Sequence, residues 1–311
     1  MSDHAGHSHG IPARGEDGSA PASARHRGRL LVTFGMTAGF FVVELVAGLL
    51  AGSLALVADA GHMATDVVAL GAALVATRIA TRPDGSGRRT YGRYRAEVFS
   101  AGLAVLLMVG VGVFVVVEAI GRIGADPHVA AGPMLVVGLI GLVLNLIGLW
   151  LLRAGSRESL NVRGAYLEVL GDAAGSVGVL IAGALIGWTG NPVWDLVVAV
   201  GIGVFVLVRA VGLGRSVLRV LGQQVPEGLD LDRVHDDLAA LADVQEVHDL
   251  HIWALTSGMN VATAHLVAVE GADHHRVLDA ARDVLAVRHR ISHATLQVEP
   301  ADHTSCGEIG W

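Results

Sequence analysis

Apolar residues dominate six stretches of this chain, at about 30–51, 57–79, 97–121, 131–152, 165–188 and 193–213. Each predicts a helix able to cross roughly 30 Å of hydrocarbon, which takes about 20 residues. Only "AGSLAL" separates the first two. After residue 213 the pattern changes to shorter, alternating segments. "LDLDRVHDDLAALA" has helical spacing, while "VQEVHDLHIWAL" and "NVATAHLVAV" read as strands with "TSGM" turning between them. "DHHRVLDAARDVLA" is helical again, and "HATLQVEP" is a last strand stopped by Pro300. The order α-β-β-α-β predicts a compact α+β domain of ferredoxin-like type. The expected fold is therefore an α-helical membrane protein of six transmembrane helices followed by a small α+β domain. The divisions fall at 1–28, a His-containing tail expected to be disordered; 29–215, the membrane domain; 216–301, the α+β domain; and 302–311, a second disordered tail.

Composition agrees with the membrane reading. The chain is 52% hydrophobic and 16% charged, too apolar for an ordinary soluble protein, and its 41 glycines suit helices that pack closely in lipid. A net charge of −7 gives no electrostatic footprint for nucleic acid. All 22 basic residues are Arg, and around the spans they favour one set of connections. Arg14, Arg25, Arg27 and Arg29 precede the first span; Arg78, Arg82, Arg88, Arg89, Arg93 and Arg95 lie at or between spans two and three. Arg153, Arg157 and Arg163 follow span four, and Arg215 and Arg219 follow span six, whereas the opposite loops hold only Arg122. The positive-inside rule then puts both termini and the α+β domain in the cytoplasm, in a multi-pass protein of the plasma (inner) membrane. The first 29 residues carry no apolar core, so they do not read as a cleavable signal peptide. A single cysteine, Cys306, excludes an intrachain disulfide framework.

Ionisable residues inside the spans change the picture more. In span five, Glu168 and Asp172 are four apart and share one helical face; in span two, His62 and Asp66 have the same spacing, with Asp59 one turn earlier. A carboxylate near the bilayer centre costs about 2.5–3.5 kcal/mol on insertion scales, so a clustered set needs something positive beside it. Two such helices facing one another offer one imidazole and three carboxylates, a four-ligand set suited to a divalent cation such as Zn²⁺. Interhelical hydrogen bonding would explain one such residue but is a poor account of two matched pairs. Asp59 is placed less directly: it would hold a ligand in position, line an entrance, or cap the helix.

The stretches "ADAGHMATD" and "NVRGAYLEVLGDAAGSVGV" resemble the span-two and span-five motifs of the cation diffusion facilitators, in their zinc/cobalt/cadmium branch. "TYGRYRAEVFSA", "VPEG" and "VHDLHIWALTSG" are similar to other motifs of that family, in the family's order. The resemblance covers roughly residues 28–300. It implies a homodimer that exports cytoplasmic divalent metal in exchange for protons, H⁺ being the counter-ion, with a transport site of His62, Asp66, Glu168 and Asp172. Members of that branch carry His where this chain has Glu168. A site of His62 with three ionised carboxylates would total −1 around M²⁺, and its extra oxygen donor suits harder ions. Zn²⁺ is the expected cargo, with Co²⁺, Cd²⁺ and Mn²⁺ as alternatives.

The histidines of the tail raise a second expectation. His248 and His265 fall on neighbouring strands and Glu299 on the last, a candidate cytoplasmic regulatory metal site. The resemblance implies a His and an acid from the last strand, where this chain has Gln297 and Glu299. Glu97, Glu118 and Asp195 read as interfacial, Asn145 as an interhelical hydrogen-bonding group, and Glu44 as deep enough to join a proton path. His4, His7 and His9 could pass metal toward the entrance. No HExxH occurs, which argues against an intramembrane metalloprotease. The competing function is a metal-responsive membrane sensor that binds without transporting.

Overall fold

The computed structural model describes residues 27–80, 88–125, 128–154, 160–256 and 258–302. The expected tails, with His4, His7, His9 and Cys306, lie outside the described residues except for Arg27, Gly28 and Asp302. Six long helices come first: α1 (Arg27–Ala51), α2 (Leu54–Ala80), α3 (Ala96–Gly121), α4 (Ala131–Leu152), α5 (Leu160–Thr189) and α6 (Val193–Leu221). Then follow α7 (Leu231–Ala239), β1 (Val244–Thr256), β2 (Met259–Ala268), α8 (His274–Val287) and β3 (His293–Glu299). Each of the six is apolar and long enough to cross a membrane, with spans of 21 to 29 residues. In lipid a helix satisfies its own backbone, which is why apolar runs of this length take that form.

The chain divides into two compact units, residues 1–67 with 110–207 and residues 68–109 with 208–311. The first unit is inside-out relative to a soluble protein. It hides polar groups: Glu44, Asp59, His62, Asn145, Asp172, Ser176 and Asp195 are all buried. Large apolar side chains such as Leu50, Trp150 and Trp188 face outward, as lipid permits. Helices α4 and α5 pack along their length, with α1 against α4. Asn145 of α4 donates to Ser176 Oγ of α5 at 3.4 Å, the interhelical contact expected of it.

The α1–α2 connection shows why two helices separate where the apolar pattern hardly breaks. Gly52 adopts φ 67°, open to glycine at little steric cost, and ends α1, with Ser53 N–H donating back to Gly48 O at 3.1 Å. Ser53 Oγ then accepts from Leu56 N–H at 3.1 Å, capping α2. Asp195, at the start of α6, completes the cap. It accepts from Ser53 Oγ at 2.6 Å, Leu54 N–H at 2.6 Å and Ala55 N–H at 3.1 Å. Asp195, expected at a span end, is fully buried there against the start of α2. The orphan N–H groups and positive dipole of a helix N-terminus draw a carboxylate inward.

In the second unit, the C-terminal α+β domain has sheet order β1-β2-β3, with β1 and β2 antiparallel and β2 and β3 parallel. Its core is built from one face of the sheet and the inner stripes of two helices, Val234 and Leu238 of α7 and Val277, Ala281 and Leu285 of α8. Asp230 and Asp273 cap α7 and α8 through backbone N–H groups of their first turns. Helix α6 runs on through Gly214 to Leu221, past the end of its apolar stretch, and Gly222 N–H closes it by donating to Leu218 O.

Candidate metal centre

Capped by Ser53 and Asp195, the first turns of α2 are fixed at one end, and Asp59, His62 and Asp66 follow along them. His62 is buried, with its ring edge-on to Phe205 of α6 at 5.8 Å between centroids. Asp172 of α5 is buried as well, and Asp66 is partly exposed. His62 Nδ1 lies 3.7 Å from Asp66 Oδ2, and His62 Nε2 lies 3.9 Å from Asp172 Oδ1. These separations are too long for direct hydrogen bonds. Only one ring nitrogen of His62 can face a given ion, so the measure of a shared site is the spacing of one ligand atom from each residue. One ligand atom from each of the three lies within 4.8 Å of the other two.

Glu168 does not join that group. It sits on α5 four residues before Asp172 and is half-buried. Of the four residues expected to share a site, three are brought together and the fourth stands one turn away along its helix. Asp59 is almost wholly buried and faces α5 at Gly175, where a Cβ would overlap Asp59 Oδ1. Glycine there is what lets the carboxylate fit. Asp59 lies beside Glu44 of α1, close enough for the two carboxyl groups to share one proton. Glu44, Asp59 and Asp172 thus form a buried acidic surrounding that favours a cation.

The second unit holds a separate cluster. Pairing of β1 with β2 sets His248 opposite His265, and the parallel β2–β3 register sets His265 opposite Gln297, with Glu299 two residues further on the same face. Their imidazole rings are 5.0 Å apart between centroids. Glu299 is buried; its Oε1 is 2.7 Å from His265 Nδ1 and its Oε2 is 3.3 Å from His248 Nε2. Gln297 Nε2 donates to Glu299 Oε1 at 2.8 Å. Asp249, at φ 51° where β1 bulges, lies 3.8 Å from His265 Nε2 and 2.8 Å from His251 Nε2. Each of His248, His265 and Glu299 offers a ligand atom within 4.8 Å of the others. Gln297 supports the carboxylate. His274 and His275 are exposed at the start of α8.

Comparison with known proteins gives these clusters a setting. The family description "Cation efflux transmembrane domain" matches residues 30–221, and "Cation efflux protein, cytoplasmic domain" matches residues 226–301. The chain is 41% identical over 298 residues to the metal cation efflux system protein CzcD of Cupriavidus metallidurans, covering 96% of this chain and 90% of that one. It is 38% identical over 273 residues to the zinc transporter ZitB of Escherichia coli, covering 87% of each. It is 33% identical over 287 residues to the cadmium, cobalt and zinc/H(+)-K(+) antiporter of Bacillus subtilis, covering 88% of this chain and 89% of that one.

Proposed function

This chain belongs to the cation efflux family and is a metal cation efflux transporter, not an enzyme, and from that premise we propose that it exports cytoplasmic zinc in exchange for protons by alternating access. The observation that carries the reading is the buried grouping of His62, Asp66 and Asp172 on two membrane helices. Glu168, on the same face of α5 as Asp172, completes four ligands when the ion is held. The names of its relatives support the cargo, zinc in one and cadmium, cobalt and zinc with H⁺ and K⁺ in another. Cobalt and cadmium are secondary cargoes, and manganese is admitted by the oxygen-rich donor set.

Proton exchange follows from the same donors. Clustered carboxylates in a medium of low dielectric cannot all remain ionised without a cation beside them. Metal binding requires ionised carboxylates and neutral imidazole, so metal and protons compete for one site. A site that opens to one side at a time and holds either cargo is an antiporter. Both termini lie in the cytoplasm, the chain sits in the plasma membrane as a homodimer, and the His248–His265–Glu299 cluster reports cytoplasmic metal.

The test is flux of Zn²⁺, Co²⁺, Cd²⁺ and Mn²⁺ into liposomes carrying the intact protein under an imposed proton gradient. Gradient-driven zinc flux is expected. A Glu168→His variant is expected to shift the preference from manganese toward zinc. Metal binding with no flux of any ion overturns the transporter mechanism and leaves a membrane metal sensor.

A further inference from the structure

Within the second unit, the segment leading into α3, the end of α2 and strand β1 enclose a cavity of about 690 Å³. That volume falls in the range of small-molecule sites, roughly 300–1,000 Å³. Its wall carries Arg88, Arg89, Arg93 and Arg95, and among the described residues no Asp or Glu lines it. Arg93 and Arg95 are half-buried, so this charge is gathered into a concavity rather than spread over a flat surface. Arginine matches phosphate oxygens through its planar fork of N–H donors.

The remaining wall decides which phosphate. Ile79, near the end of α2, and Phe99, in the first turn of α3, both line the cavity and are exposed. Both belong to membrane-spanning helices, so the cavity has a lipid-facing apolar side next to its cationic side. Trp253 of β1 closes it with an aromatic ring that suits the headgroup level of a bilayer. A soluble phosphate compound has no use for the apolar side; a phospholipid fills both.

We propose that this cavity binds the phosphate headgroup of an anionic phospholipid, with acyl chains running along Ile79 and Phe99. Topology alone needs arginines near the membrane but no concave site. The cavity wall also includes Trp253 and Leu255 of the strand that carries His248, so a bound lipid touches the element on which the cytoplasmic metal cluster is built.

The test is retention of lipid by the intact protein, read by native mass spectrometry after exchange into detergent with phosphatidylglycerol or phosphatidylcholine. Phosphatidylglycerol is expected to stay bound preferentially, and excess inorganic phosphate is expected to leave it in place. Each arginine near an anionic headgroup contributes roughly fivefold in affinity, so Arg88→Gln with Arg89→Gln, and separately Arg93→Gln with Arg95→Gln, should each lower retention by on the order of tenfold or more. The first pair is exposed and carries the test if the second fails to fold. Equal retention of the two lipids overturns the proposal, as does a preference unchanged in the folded variants. Displacement by inorganic phosphate overturns the lipid assignment in favour of a free-phosphate site.

Discussion

The two clusters are opposites in composition and in spacing. In the membrane, one imidazole stands between two carboxylates at 3.7 and 3.9 Å, beyond hydrogen-bonding reach of either. In the C-terminal domain, two imidazoles flank one carboxylate at 2.7 and 3.3 Å. The first arrangement leaves room for an ion between its donors. The second is already closed by contacts among its own members, so an entering metal must displace them. The proposed transport site has to release its cargo each cycle, and acids able to accept protons in the ion's place would provide the means. In the C-terminal cluster Glu299 lies against both imidazoles, yet His265 Nδ1 is buried with no hydrogen bond of its own, a donor atom that suits the proposed reporter of metal concentration.

Removing Asp172 gives the largest break between the two. Loss of even a residue that only supports a ligand costs about 10–100-fold in metal affinity or activity, and Asp172→Ala removes a proposed ligand outright, so transport should fall by more than ~100-fold. Flux in liposomes is the measure, with metal binding at the C-terminal cluster unchanged. Retained metal-dependent flux in this variant would count against the membrane cluster as the transport site.

Glu299→Gln is the converse. Glutamine keeps a hydrogen-bonding side chain beside His265 and Gln297 but loses the charge that opposes a cation. The intact variant should bind one fewer metal ion per chain in titration calorimetry and still transport zinc when metal is abundant. A variant that loses transport and binding together would show that the two clusters are one functional unit.

Asp195→Ala leaves the membrane ligands in place and attacks only what positions them. It strips the acceptor from Ser53 Oγ and two backbone N–H groups. Hydrogen bonds to a charged group contribute about 1.5–3 kcal/mol, so a loss of roughly 2–3 kcal/mol is expected, seen as a lower unfolding temperature in detergent. Zinc affinity of the protein that remains folded should change little.

Asp195 also marks where the sequence stops being legible. The six helices follow from apolar length, and the alternating strands place His248, His265 and Glu299 because side chains two apart share a face. Asp195 gives no such signal: its partners, Ser53, Leu54 and Ala55, lie about 140 residues away. The same holds for Gly175, whose missing side chain admits Asp59. Spacing along one helix put Glu168 with Asp172 but carries no information on which turn of α5 meets α2. Length of apolar pattern likewise understated α6, which keeps its backbone hydrogen bonds through Gly214 to Leu221 after its hydropathy falls.

The smallest effect separates the stability of the C-terminal domain from its metal chemistry. Asp237 of α7 accepts from Arg288 Nη1 at 2.9 Å and lies 2.9 Å from His289 Nε2, just beyond α8, so it ties the two helices together. Desolvation works against its ionisation, but the hydrogen bond from His289 and the charge and hydrogen bond of Arg288 outweigh it and hold the carboxyl below its usual value. A carboxyl depressed in the folded state stabilises the fold above its unfolded pKa, near 3.9, and that contribution disappears as pH falls through the lower folded value. Asp237→Asn should therefore slightly weaken hydrogen-exchange protection of α7 and α8 at neutral pH and flatten its decline between about pH 4 and the acid limit. Metal binding by His248, His265 and Glu299 should be the same in both proteins. If the substitution also moved the pH dependence of metal binding, the helices and the metal-bearing face of the sheet would be linked through the core they share, and acid would act on the reporter through the fold as well as through its ligands.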